Sequence, residues 1–235
     1  MNGKTFKAVI FDLDHTLIKS HIDFHEMKMN IVDYLRKRLP PSVELDDKMS
    51  TYEITRRAIE FLETHSLSED VPKIVSELNR IMTNTEMKYV SNAAVIEGAK
   101  DALNKLKAAG MKIGILTRAC REYANETLKA TGLAALVDEV AARDDCDNPK
   151  PDPSQVYWLM ERMKVGSENV VMVGDHPIDS LCARNAGISF VGVLTGSWGT
   201  EQVRQLGPNI LPSVKQLPDF LGIRPTRTLS KRDYS

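Results

Sequence analysis

Three cysteines in 235 residues, Cys120, Cys146 and Cys182, are too few and too odd in number for a disulfide framework. None forms a C-x-x-C pair or stands near a histidine at zinc-site spacing, which argues against structural zinc and fits a reducing compartment. Long apolar runs are missing as well. The N-terminal one is cut by Asp12, and nothing approaches the roughly 18 residues a membrane span needs, so neither a secretory leader nor a membrane partner is expected. The expected location is the cytoplasm. Charge of one sign is also lacking: 31 Lys and Arg against 32 Asp and Glu leave a net charge of -1. Without bulk basicity no nucleic-acid partner is expected, and any anion site must be local. There is no internal repeat and no low-complexity tract.

What remains is an ordinary globular composition, 42% hydrophobic and 27% charged, which can build a sizeable core beneath a polar surface. The length exceeds one average domain and falls short of two, as a core domain with a smaller insert would.

Lys7 to Phe11 is a short apolar run rich in β-formers and reads as a buried strand. After Thr16 the pattern changes. Segments Phe24 to Leu39, Asp46 to Thr64 and Val71 to Tyr89 carry apolar residues at three- and four-residue spacing, which predicts three helices. Turns are expected at residues 39–42 and 66–70, the second with a serine suited to helix capping. From Val95 onward helix and strand alternate. Helices are predicted over Ala99 to Ala109, Arg121 to Ala130, Pro153 to Met163 and Ile178 to Ala186. Strands are predicted over Met111 to Leu116, Leu136 to Val140, Asn169 to Val173 and Ile188 to Val193. Such alternation favours an α/β fold with a doubly wound parallel sheet. The expected division is a core of residues 1–19 and 93–223, a helical insert of 20–92, and a polar, basic, frayed tail of 224–235.

Four of the predicted loops carry the chemistry. Asp12-Leu13-Asp14-His15-Thr16 follows the first strand, where an open α/β sheet binds its ligands. Two carboxylates one residue apart can diverge there, one toward a phosphorus atom and metal, the other toward a leaving group. Alone, Asp-x-Asp-x-Thr arises by chance in roughly 3% of chains this long, at about one in twenty per residue type, so it needs support. Support comes from Thr117 and Lys150, a hydroxyl and a cation suited to the negative oxygens of a phosphoryl group in transfer. It comes also from Gly174-Asp175 with Asp179, since Mg²⁺ takes hard oxygen ligands and often only a few carboxylates.

In this order the segments resemble the haloacid dehalogenase-like hydrolase superfamily, in its phosphoglycolate phosphatase-like branch with a helical C1-type cap. Residues 11–17, Ile115-Leu116-Thr117-Arg118, Lys150-Pro151-Asp152-Pro153 and residues 173–179 match its four motifs, and the likeness runs to about Leu221. The resemblance implies that the strands ending at Asp12, Thr117 and Asp175 lie side by side and that the insert is an α-helical cap. It implies Asp12 as nucleophile, forming an aspartyl-phosphate, and Asp14 as general acid and base. Thr16, Thr117, Arg118 and Lys150 would bind phosphate. Asp12, Asp175 and the backbone carbonyl of Asp14 would hold Mg²⁺, with Asp179 as a further or outer ligand. His15 stands where the family often has glycine. Asp14 argues against dehalogenation, because dehalogenating members lack the second aspartate, and no lysine signature for phosphonate cleavage is evident in the insert.

The expected activity is Mg²⁺-dependent hydrolysis of a small phosphorylated metabolite. Phosphoglycolate, another sugar or organic-acid phosphate, a nucleoside monophosphate and pyrophosphate are the candidate substrates. A phosphomutase and a non-catalytic regulatory or binding protein of the same fold are the alternatives. His15 in the nucleophile loop, which could instead merely fill it, Lys19 and His21 after that loop, and Arg56 and Arg57 in the insert could contact substrate, although cap residues of these types more often line solvated helix faces. Ile31, Tyr34 and Leu35 suit a core within the insert or a dimer interface, so a monomer and a homodimer both remain open.

Overall fold

The computed structural model describes residues 5–46, 48–65, 67–146, 148–196 and 207–223. The predicted tail therefore lies outside the described residues. Two compact units emerge, Met1–Ser20 with Ala93–Ser235, and His21–Asn92.

In the first unit β1 (Ala8–Phe11) is followed by the two-residue strand β2 (Ile18–Lys19), which pairs antiparallel with β3 (Ala94–Val95). Then come α4 (Ala99–Ala108), β4 (Lys112–Leu116), α5 (Arg121–Ala130), β5 (Glu139–Ala141) and α6 (Ser154–Met163). The unit continues through β6 (Val170–Gly174), α7 (Pro177–Asn185), β7 (Ser189–Val193) and β8 (Ile210–Leu211). Six strands form one parallel sheet in the order β5-β4-β1-β6-β7-β8. Every residue of β1 and β6 is buried. That is why these strands read as unbroken apolar runs, the mark of parallel sheets covered on both faces. Ile10, Leu116 and Met172 of three neighbouring strands pack with Val156 and Leu159 of α6 and Cys182 of α7 in one cluster.

The second unit holds α1 (Phe24–Arg36), α2 (Thr51–Thr64) and α3 (Val71–Met87). Each buries a stripe at four-residue spacing: Met27, Ile31 and Leu35; Ile54, Ala58 and Leu62; Ile74 and Leu78. Ile31 and Leu35 thus belong to a core, and Tyr34 is half-buried beneath the Arg38 guanidinium, 3.8 Å from its ring centre. Asp23 caps α1 by accepting from the Glu26 N–H at 2.7 Å. Among the described residues no helix is long and apolar enough to cross a membrane.

Several predicted boundaries move, each for a local reason. The second helix starts at Thr51 instead of Asp46, because the Asp46 carboxylate turns back to the Lys48 N–H and Ser50 forms a capping box with Glu53. α1 stops at Arg36, ahead of Pro40 and Pro41. The capping serine expected before α3 is absent from that role: Ser68 opens a short 3₁₀ turn, and α3 starts behind Asp70 with Pro72 in its first turn and no side-chain cap. The strand predicted from Leu136 begins at Glu139, since the Leu136 N–H bonds locally to the Leu133 carbonyl in a 3₁₀ turn. The strands β2, β3 and β8 were not anticipated, two residues being too few to show a period.

Asp138 locks the entrance to β5. Its carboxylate takes both oxygens to Lys107 Nζ at 2.9 and 2.8 Å, and accepts from the Ile113 N–H at 2.8 Å and Lys112 Nζ at 3.3 Å. Burial pushes this carboxyl up, but the donors from Lys107, Ile113 and Lys112 outweigh it and the net shift is downward. A carboxyl whose folded value lies below its unfolded one stabilises the fold above the ordinary carboxylate range, and that contribution is lost as pH falls through the folded value. Asp138→Asn should therefore melt several degrees below the unsubstituted protein at neutral pH, with the gap closing on acidification. Melting curves collected from pH 7 downward test this, and a gap independent of pH would contradict it.

Candidate active site

Register brings three strand ends together. Phe11 is level with Ile115 of β4 and Val173 of β6, so Asp12 one residue on, and Thr117 and Asp175 two residues on, open onto one edge. The Asp12 N–H donates to the Val173 carbonyl at 2.9 Å, and the Thr117 N–H donates to the Ala141 carbonyl at 2.9 Å, which carries the sheet ladder up to both side chains. Asp12, Thr117 and Asp175 thus emerge side by side, with β1 in the middle.

Lys150 reaches the same place from the loop before α6. Its Nζ lies 2.5 Å from Asp12 Oδ1 and 2.7 Å from Asp179 Oδ1, and its side chain is only 1% exposed. Asp179 is fully buried in the first turn of α7, where its Oδ2 accepts from the His176 N–H at 3.1 Å. His176 caps that helix, Nδ1 accepting from the Ile178 N–H at 3.1 Å. Burial holds the imidazole below its ordinary value, with the cations Lys150 and Arg118 adding to the effect and Asp179 opposing it.

Two glycines make room for the carboxylates. A Cβ on Gly174 would overlap Asp179, and one on Gly196 would overlap Asp175 Oδ2. Asp175 is further held by Thr16, whose fully buried hydroxyl donates to Asp175 Oδ1 at 2.9 Å. Thr16, expected to bind phosphate, here spends its hydrogen within the carboxylate group.

Asp12, Asp175 and Asp179 each offer an oxygen within 4.8 Å of the others, and all three are buried. Three carboxylates against the single ammonium of Lys150 leave the cluster short of positive charge. Burial drives Asp12 well above the ordinary range against the pull of Lys150, with Asp179, Asp175 and Asp14 adding to the rise. Burial, then the charge of Asp179, pushes Asp175 up to about 7. Lys150 loses some stability as a cation through burial, but Asp12 and Asp179 more than restore it, so it stays charged. An all-oxygen donor set with uncompensated negative charge fits a hard divalent cation.

Asp14 leaves this cluster. Its Oδ1 accepts from Tyr123 Oη at 2.9 Å, across 109 residues of sequence. The two aspartates of the first motif therefore diverge, one onto Lys150 and the other onto α5. Tyr123 was not singled out in the sequence, where nothing but its place three residues into a predicted helix distinguishes it. Burial, and then the charge of Asp14, holds the phenol well above its ordinary value, so the hydroxyl keeps its proton.

The protein-family model described as haloacid dehalogenase-like hydrolase matches residues 9–193, well over half of the chain and all four motifs. The chain belongs to the haloacid dehalogenase-like hydrolases. Among relatives of this hydrolase, the pyrophosphatase PpaX of Bacillus velezensis is 27% identical over 95% of this chain and 98% of its own length. The phosphoglycolate phosphatase of Rhodospirillum rubrum is 29% identical over 92% of this chain and 91% of its own. In fold, the β-phosphoglucomutase of Clostridium difficile is similar at a TM-score of 0.63 and 21% identity, over 92% or so of both chains, 91% of this one and 93% of that.

Other predicted residues of this haloacid dehalogenase-like hydrolase sit as follows. Thr117 is buried and its Oγ1 accepts from the Ala119 N–H at 3.0 Å, which leaves the hydroxyl hydrogen for an outside acceptor. Arg118 is half-buried, and its carbonyl accepts from Arg143 at 3.1 Å. His15 adopts a left-handed backbone, φ 61°, a conformation that favours glycine. Its carbonyl accepts from Thr195 Oγ1 at 2.5 Å. Lys19 is exposed on β2. His21, Arg56 and Arg57 belong to the helical unit, all exposed, with Arg56 paired to Glu60 at 2.9 Å and Arg57 to Glu44 at 3.9 Å.

Proposed function

We propose that this protein hydrolyses phosphate monoesters of small metabolites, with Asp12 as the nucleophile. The observation that carries the reading is the buried group of Asp12, Lys150, Asp175 and Asp179 at adjacent strand ends, with Asp14 diverging from it. A carboxylate oxygen of Asp12 attacks phosphorus while the ester P–O bond breaks and its electron pair leaves with the alcohol oxygen. Asp14 gives that oxygen a proton. The resulting carboxylate of Asp14 then takes a proton from the water that attacks the aspartyl-phosphate, so inorganic phosphate departs and both aspartates return to their starting states.

Lys150 stabilises the phosphoryl oxygens in this scheme, and because it is already anchored between two carboxylates it needs no reorganisation as charge develops. Thr117 donates its hydroxyl to the same group. Asp12, Asp175 and the carbonyl of Asp14 would hold Mg²⁺, with Asp179 steadying Lys150 behind them. When bound, the cation offsets the negative charge that the phosphate brings to a site already rich in carboxylates.

The test is release of inorganic phosphate from p-nitrophenyl phosphate with Mg²⁺ and with excess chelator, followed by a panel that includes phosphoglycolate, sugar phosphates, nucleoside monophosphates and pyrophosphate. Turnover that disappears with chelator and returns with Mg²⁺ is expected. A mutase would instead move phosphate between hydroxyls without releasing it, and a non-catalytic protein would release none from any ester.

Arg56 and Arg57 are exposed and paired within their own unit, and exposed pairs of this kind contribute little. Arg56→Ala and Arg57→Ala are expected to leave kcat and KM within about twofold of the parent for phosphoglycolate and p-nitrophenyl phosphate alike, as surface changes away from a site do. A KM increase confined to phosphoglycolate would instead place the guanidinium on the substrate carboxylate.

A further inference from the structure

Among the described residues Tyr123 is the largest fully buried side chain, and its hydroxyl is the part of it that needs a polar partner. It donates to Ser20 Oγ at 3.4 Å. The closer contact is the 2.9 Å bond to Asp14 Oδ1. The helix that carries the phenol begins four residues after Thr117, and its first turn is fixed by the Tyr123 N–H donating to Cys120 Sγ at 3.4 Å. The ring is therefore held at both ends, by the capped backbone of α5 and by burial among core residues. Asp14 itself sits in the loop after β1, at an isolated bridge to Ile18.

We propose that Tyr123 is a positioning residue for Asp14: its hydroxyl donates to Oδ1 and fixes the orientation from which Asp14 exchanges protons with the leaving oxygen. This rests on the phosphatase reading above. A core tyrosine with no such role would affect folding alone, or every substrate equally. A positioning role slows the phosphorylation step in proportion to how badly the leaving group needs its proton, and slows the later hydrolysis alike for every ester.

The experiment compares p-nitrophenyl, phenyl and benzyl phosphate, whose leaving groups need protonation increasingly, for the parent, Tyr123→Phe, Asp14→Asn and the double variant, each with its melting temperature. In single-turnover phosphorylation Tyr123→Phe is expected to lower the rate with benzyl phosphate by roughly ten- to a hundredfold, part of the worth of a general acid. With p-nitrophenyl phosphate the loss in that step should stay below about threefold, with the half-saturating concentration unchanged for all three esters, as for an interaction made only in the transition state. On the Asp14→Asn background, Tyr123→Phe should cost nothing further, since residues acting as a unit are not additive. Equal losses of the phosphorylation rate across the esters, or additivity with Asp14→Asn, would overturn the proposal. Should Tyr123→Phe fail to fold, 3,5-difluorotyrosine at position 123 keeps the shape and makes the phenol a stronger donor. A changed leaving-group dependence is then expected, and an unchanged one counts against the role. A parent protein inactive on all three esters would instead reject the phosphatase reading, which is a separate outcome.

Discussion

Asp12→Asn is expected to abolish hydrolysis and leave the protein folded. The amide is nearly isosteric with the carboxylate, and its oxygen can still accept from Lys150, which also keeps its bond to Asp179. Removing one charge from a buried group of carboxylates relieves repulsion, so stability should hold or rise. The chemistry has no such fallback, because an amide is a poor nucleophile and a poor ligand for a hard cation. Loss of a nucleophile in this sense is worth on the order of 10⁴-fold or more. Phosphate release from p-nitrophenyl phosphate and a melting curve give the answer together. More than a few per cent of parental turnover in a clean preparation would take Asp12 out of the nucleophile role.

Asp14→Asn should behave differently. The phenol of Tyr123 can still donate to the amide oxygen, so the side chain stays in place while its ability to move a proton is gone. Turnover of alkyl phosphates should fall by roughly 10²- to 10⁴-fold, the usual worth of a general acid and base. With p-nitrophenyl phosphate the phosphorylation step should suffer far less, since nitrophenolate leaves without a proton. Single-turnover phosphorylation separates that step from the hydrolysis that follows. An equal deficit for both ester types would assign Asp14 to holding the loop or the cation instead.

The parts of this structure that could be read from sequence are those whose physics is local. β1 and β6 are continuous apolar runs because both faces of the sheet are covered, and Gly174-Asp175 follows the second of them directly. The match of four motifs in order then brought Asp12, Thr117, Lys150 and Asp175 to one edge, which register confirms for the three strand ends. Legibility fails where the deciding interaction is distant or very short. Tyr123 meets Asp14 through a fold contact that no spacing marks. The use of Thr16, a hydroxyl in the loop of Asp12 yet bonded to Asp175, depends on two strands lying next to each other. The late start of β5 turns on a single carbonyl choice at Leu133 that apolar composition does not reveal.

The central place of β1 has a consequence for how the molecule is made. The strand that leads into Asp12 is synthesised before its two neighbours, residues 112–115 and 170–173. The helical unit between them can close over contacts among α1, α2 and α3 alone, whereas β1 waits for its first neighbour until about half of the chain is made and for its second until residue 173. Asp12 and Asp14 therefore acquire their partners late, in order of increasing sequence separation: Tyr123 first, then Lys150, and Asp175 and Asp179 last. Because every one of those partners lies on a different segment, no fragment ending before α7 contains a complete site. The group of Asp12, Lys150, Asp175 and Asp179 thus becomes complete only with α7, before β7 and β8 extend the sheet, so a shorter chain carries Asp12 without its full set of partners.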